Sequence, residues 1–187
     1  MVDIRSARLT HRIALGVVPA VLAGTVCAST AEAQRWRSWP AREITLQVGG
    51  FSHDNYGDEM SPMVALRTSW RVREWLVTEF GGMYTRLERA DETAVNMTGL
   101  DLGIQAEAPV TVLRPYVGFA TGIHATYEGE GGARYFAPST QALAGLRLRL
   151  PAGLGLRGEA RYQLDQQEDG PIADNVELTG GITWSWR

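Results

Sequence analysis

The C-terminal segment of the chain alternates between large apolar and small polar residues. Over residues 179–186, the apolar positions are Ile182, Trp184 and Trp186, and threonine and serine lie between them. Because neighbouring residues of a β-strand point to opposite faces, this segment predicts a strand with one apolar and one polar face.

The same alternation recurs along the chain and predicts eight strands in total. They are expected near Arg42–Phe51, Met63–Trp70, Trp75–Leu87, Asn96–Ala106, Pro115–Tyr127, Ser139–Leu150, Leu154–Leu164 and Val176–Trp186. Long acidic connections (Ser52–Pro62, Glu88–Val95, Glu128–Pro138 and Asp165–Asn175) alternate with short ones. This pattern is typical of an all-β protein, an eight-stranded antiparallel up-and-down transmembrane β-barrel.

The polar face of the predicted strands carries charges of both signs. Its charged and titratable members include Arg67, Glu79, Asp101, His124, Arg147, Arg157, Glu159, Arg161 and Glu177. A soluble barrel would turn this face outward, towards water. Glycines alternate with these charges, which suits a crowded lumen. Tryptophans lie at one end of the strands and tyrosines at the other, as expected at the two interfaces of a membrane. We therefore expect a polar network in the lumen.

The N-terminus has the features of a secretion signal. Arginines precede an apolar stretch, and Ala31-Glu32-Ala33 provides a small-x-small cleavage site. We expect residues 1–33 to be a cleaved signal peptide, residues 34–41 a short periplasmic segment and residues 42–187 the barrel. Cys27 raises the alternative of a lipoprotein, but bulky Val26 before it argues against lipoprotein processing.

Composition excludes several kinds of chemistry. All 18 basic residues are arginine, which removes lysine-based Schiff bases and Walker-type phosphate loops. The acidic connections predict an acidic outer rim that repels nucleic acid. Divalent cations are a candidate ligand of these loops, although ordinary solvated loops are the simpler interpretation.

Catalytic constellations are weak. His124, Thr126 and Glu128 share one face of a strand, but residues in a row do not converge on a substrate. His53 lies in the first long connection without metal-site spacing. The carboxylate pairs Glu79 with Asp101 and Glu159 with Glu177 suit proton sharing, yet the arginines on the same face favour ion pairs. We expect no catalytic, cofactor or metal site.

The alternating strands and the aromatic-ended last strand resemble the small outer-membrane β-barrels of the OmpX and OmpA-membrane-domain type. Gly181, Ile182, Trp184 and Trp186 resemble the C-terminal insertion signal of such barrels, with Arg187 as a departure from the terminal aromatic. The resemblance implies a monomer in the outer membrane of a Gram-negative-type (diderm) bacterium. Its implied partners are outer-membrane lipid, lipopolysaccharide and the barrel-assembly machinery.

A second resemblance is to the lipid A deacylase barrel, carried by Arg161-Tyr162 in the penultimate predicted strand. That family has a His-x-Ser-Asn sequence shortly afterwards, whereas this chain reads Gln-Leu-Asp-Gln-Gln over residues 163–167. The sequence therefore favours a non-enzymatic barrel with a packed polar lumen, a structural or loop-mediated surface-interaction protein. The alternatives are a lipid-modifying enzyme near His124 and a narrow transporter of small apolar molecules.

Overall fold

The computed structural model of the protein describes residues 41–53, 57–88, 94–108, 112–128, 134–166 and 172–186. The predicted signal peptide, Cys27 and most of the periplasmic segment lie outside these residues. So does Arg187. None of the described residues belongs to a helix long and apolar enough to cross a membrane.

Eight antiparallel strands close into a barrel in which each strand pairs with the next and the last pairs with the first. The strands are β1 (Arg42–His53), β2 (Gly57–Arg73), β3 (Leu76–Glu88), β4 (Ala94–Glu107), β5 (Leu113–Glu128), β6 (Arg134–Arg149), β7 (Leu154–Asp165) and β8 (Ala173–Trp186). A short 3-10 turn over Pro151–Gly153 joins β6 to β7. The predicted fold class, an up-and-down all-β barrel, is confirmed.

The strands extend beyond their predicted ends on the side of the long connections. β2 begins at Gly57 rather than Met63, and β6 begins at Arg134 rather than Ser139. The prediction of long loops at Ser52–Pro62 and Glu128–Pro138 was therefore wrong for much of their length. The physical reason is that hydrophobic alternation reports contact with lipid, whereas backbone hydrogen bonding continues the ladder above it.

The barrel exterior is apolar and its interior is charged. Leu46, Leu102 and Ile182 are 56, 60 and 62% exposed on the outside, whereas Arg67 and Arg161 are each 1% exposed inside. A soluble barrel has the reverse arrangement. The exterior is that of a membrane barrel, whose outer surface meets hydrocarbon.

Aromatic residues mark the two ends of this apolar surface. Trp70, Trp75 and Trp184 are exposed at the end with the short turns, where Trp70 pairs with the first residue of β1. Tyr84 is exposed towards the opposite end, on β3. These positions match the two aromatic girdles expected at membrane interfaces.

The lumen is not polar throughout, contrary to the expectation from sequence. Near the long-connection end, an apolar cluster fills the side of the bore formed by β1 to β4. Its members are Phe51, Met63, Ala65, Met83, Leu87, Val95 and Met97. These inward side chains exclude water by packing against one another, as in the core of a soluble domain.

Candidate functional site

A network of buried polar side chains crosses the middle of the bore. Its ionised members are Arg67, Glu79, Asp101, Arg157, Glu159, Arg161 and Glu177, and its uncharged members include Gln47, Tyr116 and Gln141. Strand alternation turns each of them inward, and together they represent all eight strands. We call this set the central network.

Arg161 is the most highly connected arginine of the central network. Its guanidinium contacts Glu79 at 2.7 Å, Asp101 at 3.1 Å and Glu159 at 2.7 Å. It also donates a hydrogen bond of 2.8 Å to the amide oxygen of Gln141. A single side chain on β7 thereby links β3, β4 and β6 across the lumen.

Arg67 joins strands on both sides of the seam where the barrel closes. It contacts Asp101 on β4 at 3.0 Å and Glu177 on β8 at 2.8 Å. Its Nε donates a hydrogen bond of 2.6 Å to Gln47 on β1. The seam between β1 and β8 is therefore held by side chains in the lumen as well as by the backbone ladder.

Tyr116 belongs to the central network but was not among the predicted lumen residues. Its hydroxyl accepts a hydrogen bond of 2.8 Å from Arg157 Nε and donates one of 2.6 Å to Glu159. Arg157 also contacts Glu79 and Glu159 directly. Because Tyr116 directly precedes outward-facing Val117, its position in the alternation was the signal that could have placed it in the lumen.

Gly145 leaves room for the aromatic ring of Tyr116. A Cβ built at Gly145 would collide with the Tyr116 hydroxyl group and with the Gly158 carbonyl oxygen. Any larger residue at position 145 would therefore displace Tyr116 from its contacts with Arg157 and Glu159.

A second layer of ion pairs lies between the central network and the short-turn end. Arg71 and Arg114 contact Glu107 at 2.7 and 3.0 Å, and Arg147 contacts both Glu107 and Glu43. The sequence did not lead us to assign Arg71 or Arg114 to the lumen. It did not single out Glu43 or Glu107, although both lie on inward-facing positions.

The two layers are balanced in charge. They contain six arginines (Arg67, Arg71, Arg114, Arg147, Arg157 and Arg161) and six carboxylates (Glu43, Glu79, Asp101, Glu107, Glu159 and Glu177). Every carboxylate has an arginine within 4.0 Å, including both members of the two candidate proton-sharing pairs. Removing one charge would therefore leave one buried charge of the opposite sign uncompensated.

The carboxylate beside the buried His124 comes from Asp165 on β7. His124 Nδ1 lies 2.9 Å from Asp165 Oδ2, which also accepts a hydrogen bond of 2.7 Å from Asn175 Nδ2. Asp165 was predicted to lie in an acidic loop, but it ends β7 and points into the lumen at 2% exposure. The strand extension described above accounts for this difference.

A small cavity of about 40 Å³ adjoins this histidine and is also lined by His53, Thr126 and Tyr135. Asp165 lines it too, and its Oδ1 has no hydrogen-bond partner among the described residues. The volume is sufficient for ordered water. No group of three or more His, Cys, Asp or Glu side chains in the described ranges is arranged to hold a metal ion.

The proposed insertion signal occupies the closing strand. Trp184 and Trp186 face outward at 64 and 40% exposure, on the same side as Ile182. Gly181 pairs with Gln47 of β1, and a Cβ at Gly181 would collide with the Leu46 carbonyl oxygen. Ile182, Trp184 and Trp186 therefore give β8 an exposed apolar face, and Gly181 allows β8 to approach β1 closely at the seam.

No protein-family model matches the sequence, and no curated protein matches it. Solved structures do match. The chain is similar to Neisserial surface protein A, with a TM-score of 0.69 and 12% identity over 78% of this chain and 97% of that one. The fold is that of the small outer-membrane β-barrels of the OmpX and OmpA-membrane-domain type.

Two further structures share this fold. The outer membrane enzyme PagL has a TM-score of 0.52 and 14% identity, covering 76% of this chain and 98% of that one. Ail, the attachment invasion locus protein of Yersinia pestis, in complex with the heparin analogue sucrose octasulfate, has a TM-score of 0.50 and 12% identity. That match covers 76% of this chain and 96% of Ail. Barrels of this fold include an enzyme and an attachment protein, so the fold alone does not assign an activity.

Proposed function

We propose that this protein is a non-enzymatic barrel of the outer membrane of a diderm bacterium, acting as a structural or loop-mediated surface-interaction protein. The observation that carries the proposal is the central network, because side chains from all eight strands meet across the bore and bind one another. A barrel filled in this way keeps its wall rigid and presents its loops at one end. The names of Neisserial surface protein A and of Ail support a role at the cell surface.

Transport through the lumen is disfavoured by the same network. An eight-stranded barrel has an interior just wide enough for side chains to fill. In this barrel Arg67, Glu79 and Arg161 are each 1% exposed at the middle of the bore. We expect purified protein in planar bilayers to give no discrete conductance steps, and a reproducible single-channel current would contradict this part of the proposal.

A lipid-modifying enzyme is the second candidate, and the contact between His124 and Asp165 favours it. A carboxylate that accepts a hydrogen bond from Nδ1 leaves Nε2 to act as a base. However, the adjoining cavity of about 40 Å³ is far smaller than the roughly 300 to 1,000 Å³ of typical ligand pockets. His124 is also 2% exposed, inside the lumen and away from lipid. We therefore assign the pair a structural role.

One experiment separates the two candidates. The protein and its His124→Ala variant are expressed in a diderm host, outer membranes are isolated, and lipid A is analysed by mass spectrometry. We expect both proteins in the outer-membrane fraction and the same lipid A species in cells with either protein and in cells with none. A change in lipid A acylation that requires His124 would establish the enzyme, and recovery of the protein outside the outer membrane would refute the location.

A further inference from the structure

Histidine and methionine side chains meet in the lumen at the long-connection end. His53 on β1, Met97 on β4 and His124 on β5 line the cavity of about 40 Å³ beside Asp165, and all of them are buried. His53 is the last residue of β1 and Asp165 is the last of β7, so this cavity lies at the mouth of the bore. Two imidazoles and a thioether therefore border one space that is large enough for a water molecule or an ion of similar size.

A second methionine approaches His124 from β3. Met83 on β3, Gly99 on β4 and His124 on β5 are successive partners in one row of the strand ladder. A Cβ built at Gly99 would lie 2.9 Å from His124 Nε2 and 2.9 Å from Met83 Cγ. Because glycine has no side chain, the imidazole and the thioether side chain become neighbours over β4. Met97 lies two residues from Gly99 on the same inward face and adds a second sulfur beside the ring.

Asp165 orients the imidazole of His124. Its Oδ2 lies 2.9 Å from His124 Nδ1, and an N–H group at Nδ1 that donates to this carboxylate leaves the lone pair of Nε2 free. Nε2 is also the ring nitrogen that faces Gly99 and Met83. A carboxylate that fixes the tautomer and the direction of a histidine in this way commonly accompanies a metal-binding imidazole.

The charge of this region favours a monovalent cation. Among the residues that the structure describes, Asp165 contacts His124 and Asn175 but no arginine, and its Oδ1 has no hydrogen-bond partner. With His124 neutral, the cavity therefore carries one buried negative charge without a counter-charge, which is unfavourable. A cation of charge +1 balances it, whereas a divalent cation leaves an excess of positive charge.

The methionine sulfurs identify the kind of ion. In the described ranges, His, Cys, Asp and Glu by themselves form no group of three that could hold a metal, which argues against a zinc or calcium site. Thioether sulfur is a soft ligand that selects Cu⁺, and imidazole also suits copper. We infer that His124 Nε2 and the sulfur atoms of Met83 and Met97 bind a monovalent copper ion, with Asp165 as a positioning residue. This site goes beyond the proposed function, because it does not depend on what the loops bind.

The test uses the detergent-solubilised full barrel and Ag⁺, a redox-inert monovalent ion that shares the preference of Cu⁺ for sulfur. Native mass spectrometry in ammonium acetate counts the bound ions, and we expect one Ag⁺ per barrel. Loss of a residue that orients a metal ligand costs about 10- to 100-fold in affinity, so Asp165→Asn should weaken Ag⁺ binding at least about tenfold and His124→Gln about 100-fold. Met83→Leu and Met97→Leu conserve side-chain volume and remove one sulfur each, and each should weaken binding about tenfold.

Two matched controls remove sulfur elsewhere in the chain. Met60→Leu replaces an exposed methionine on β2, and Cys27→Ser replaces the single cysteine, so both variants should bind Ag⁺ as wild type does. The X-ray absorption spectrum of the barrel loaded with Cu⁺ should show sulfur and imidazole nitrogen around the copper, and sulfur should be absent in the Met83→Leu Met97→Leu double variant.

Three results would overturn the site. They are a folded wild-type barrel that binds no Ag⁺, a loss in either control as large as that in the double variant, and tighter binding of Zn²⁺ than of Ag⁺. Heat-modifiable migration of each sample verifies the folded barrel, so a misfolded variant is not mistaken for a lost site. The location of the protein and its lipid A phenotype are measured separately, so failure of the copper site is distinguishable from failure of the proposed function.

Discussion

Replacing Arg161 by methionine should destabilise the barrel by about 3 kcal/mol, the lower end of the range for breaking a buried ion pair. The variant preserves a long side chain and removes the charge that contacts Glu79, Asp101 and Glu159. Each of these carboxylates keeps another arginine, since Arg157 contacts Glu79 and Glu159, and Arg67 contacts Asp101. The lumen therefore gains one uncompensated negative charge rather than three, and the expected loss of stability is correspondingly at the lower end of that range.

The assay is equilibrium unfolding by urea in phospholipid vesicles, followed by the fluorescence of the interfacial tryptophans. A second substitution, Glu79→Gln in the Arg161→Met background, restores equal numbers of the two charges and should recover part of the loss. Such coupling between contacting residues is typically about 0.5 to 3 kcal/mol. Exposed Arg73→Met is the control and should change the free energy of unfolding by less than ~0.5 kcal/mol. A loss below ~1 kcal/mol for Arg161→Met, or no recovery in the double variant, would refute a charge-balanced network.

Three further changes test other parts of the structure. Leu102→Arg puts a charge on the lipid-facing surface and should cost about 2 to 4 kcal/mol in the same unfolding assay; wild-type stability would mean that this face does not meet lipid. Gly145→Ala should lower the free energy of unfolding by about 1 to 3 kcal/mol through the clash with Tyr116. Gly158→Ala is the control and should be nearly neutral, because there is open space where its Cβ would lie. Equal losses in the two variants would contradict the role of Gly145. Replacing Trp184 and Trp186 by serine should lower the amount of heat-modifiable barrel in the membrane without changing export, and undiminished insertion would remove the role proposed for the C-terminal strand.

The barrel itself could be predicted from sequence because every strand repeats the alternation of apolar and polar residues. Leu100, Leu102 and Ile104 on β4 are all outward, and Asp101 between them is inward, as alternation requires. The same rule placed Arg67 and the other charged residues of the central network on one face. Which of them meet across the bore depends on strand register and tilt. Hydrophobic alternation excludes a slip of one residue but not of two, and it does not fix the tilt.

The region near His124 could not be predicted for a different reason. Above the membrane the outward residues no longer need to be apolar, so the pattern that marks a strand disappears while the strand continues. Asp165 was consequently assigned to a loop, although it is the partner of His124. The inward apolar cluster around Phe51 and Met97 was missed because a lumen residue can be polar or apolar wherever neighbouring side chains exclude water.

The two halves of the chain carry opposite charges into the lumen. In the two ion-pair layers, β1 to β4 contribute two arginines and four carboxylates, whereas β5 to β8 contribute four arginines and two carboxylates. Neither half can neutralise its own inner surface. Placing either half alone in a low-dielectric membrane is therefore energetically unfavourable, because its charges are unbalanced. Electrostatic attraction between the halves acts across the bore as well as along the seam. A barrel lacking its C-terminal half, β5 to β8, would expose two more carboxylates than arginines, so pairing of the halves and charge neutralisation should occur as a single cooperative event.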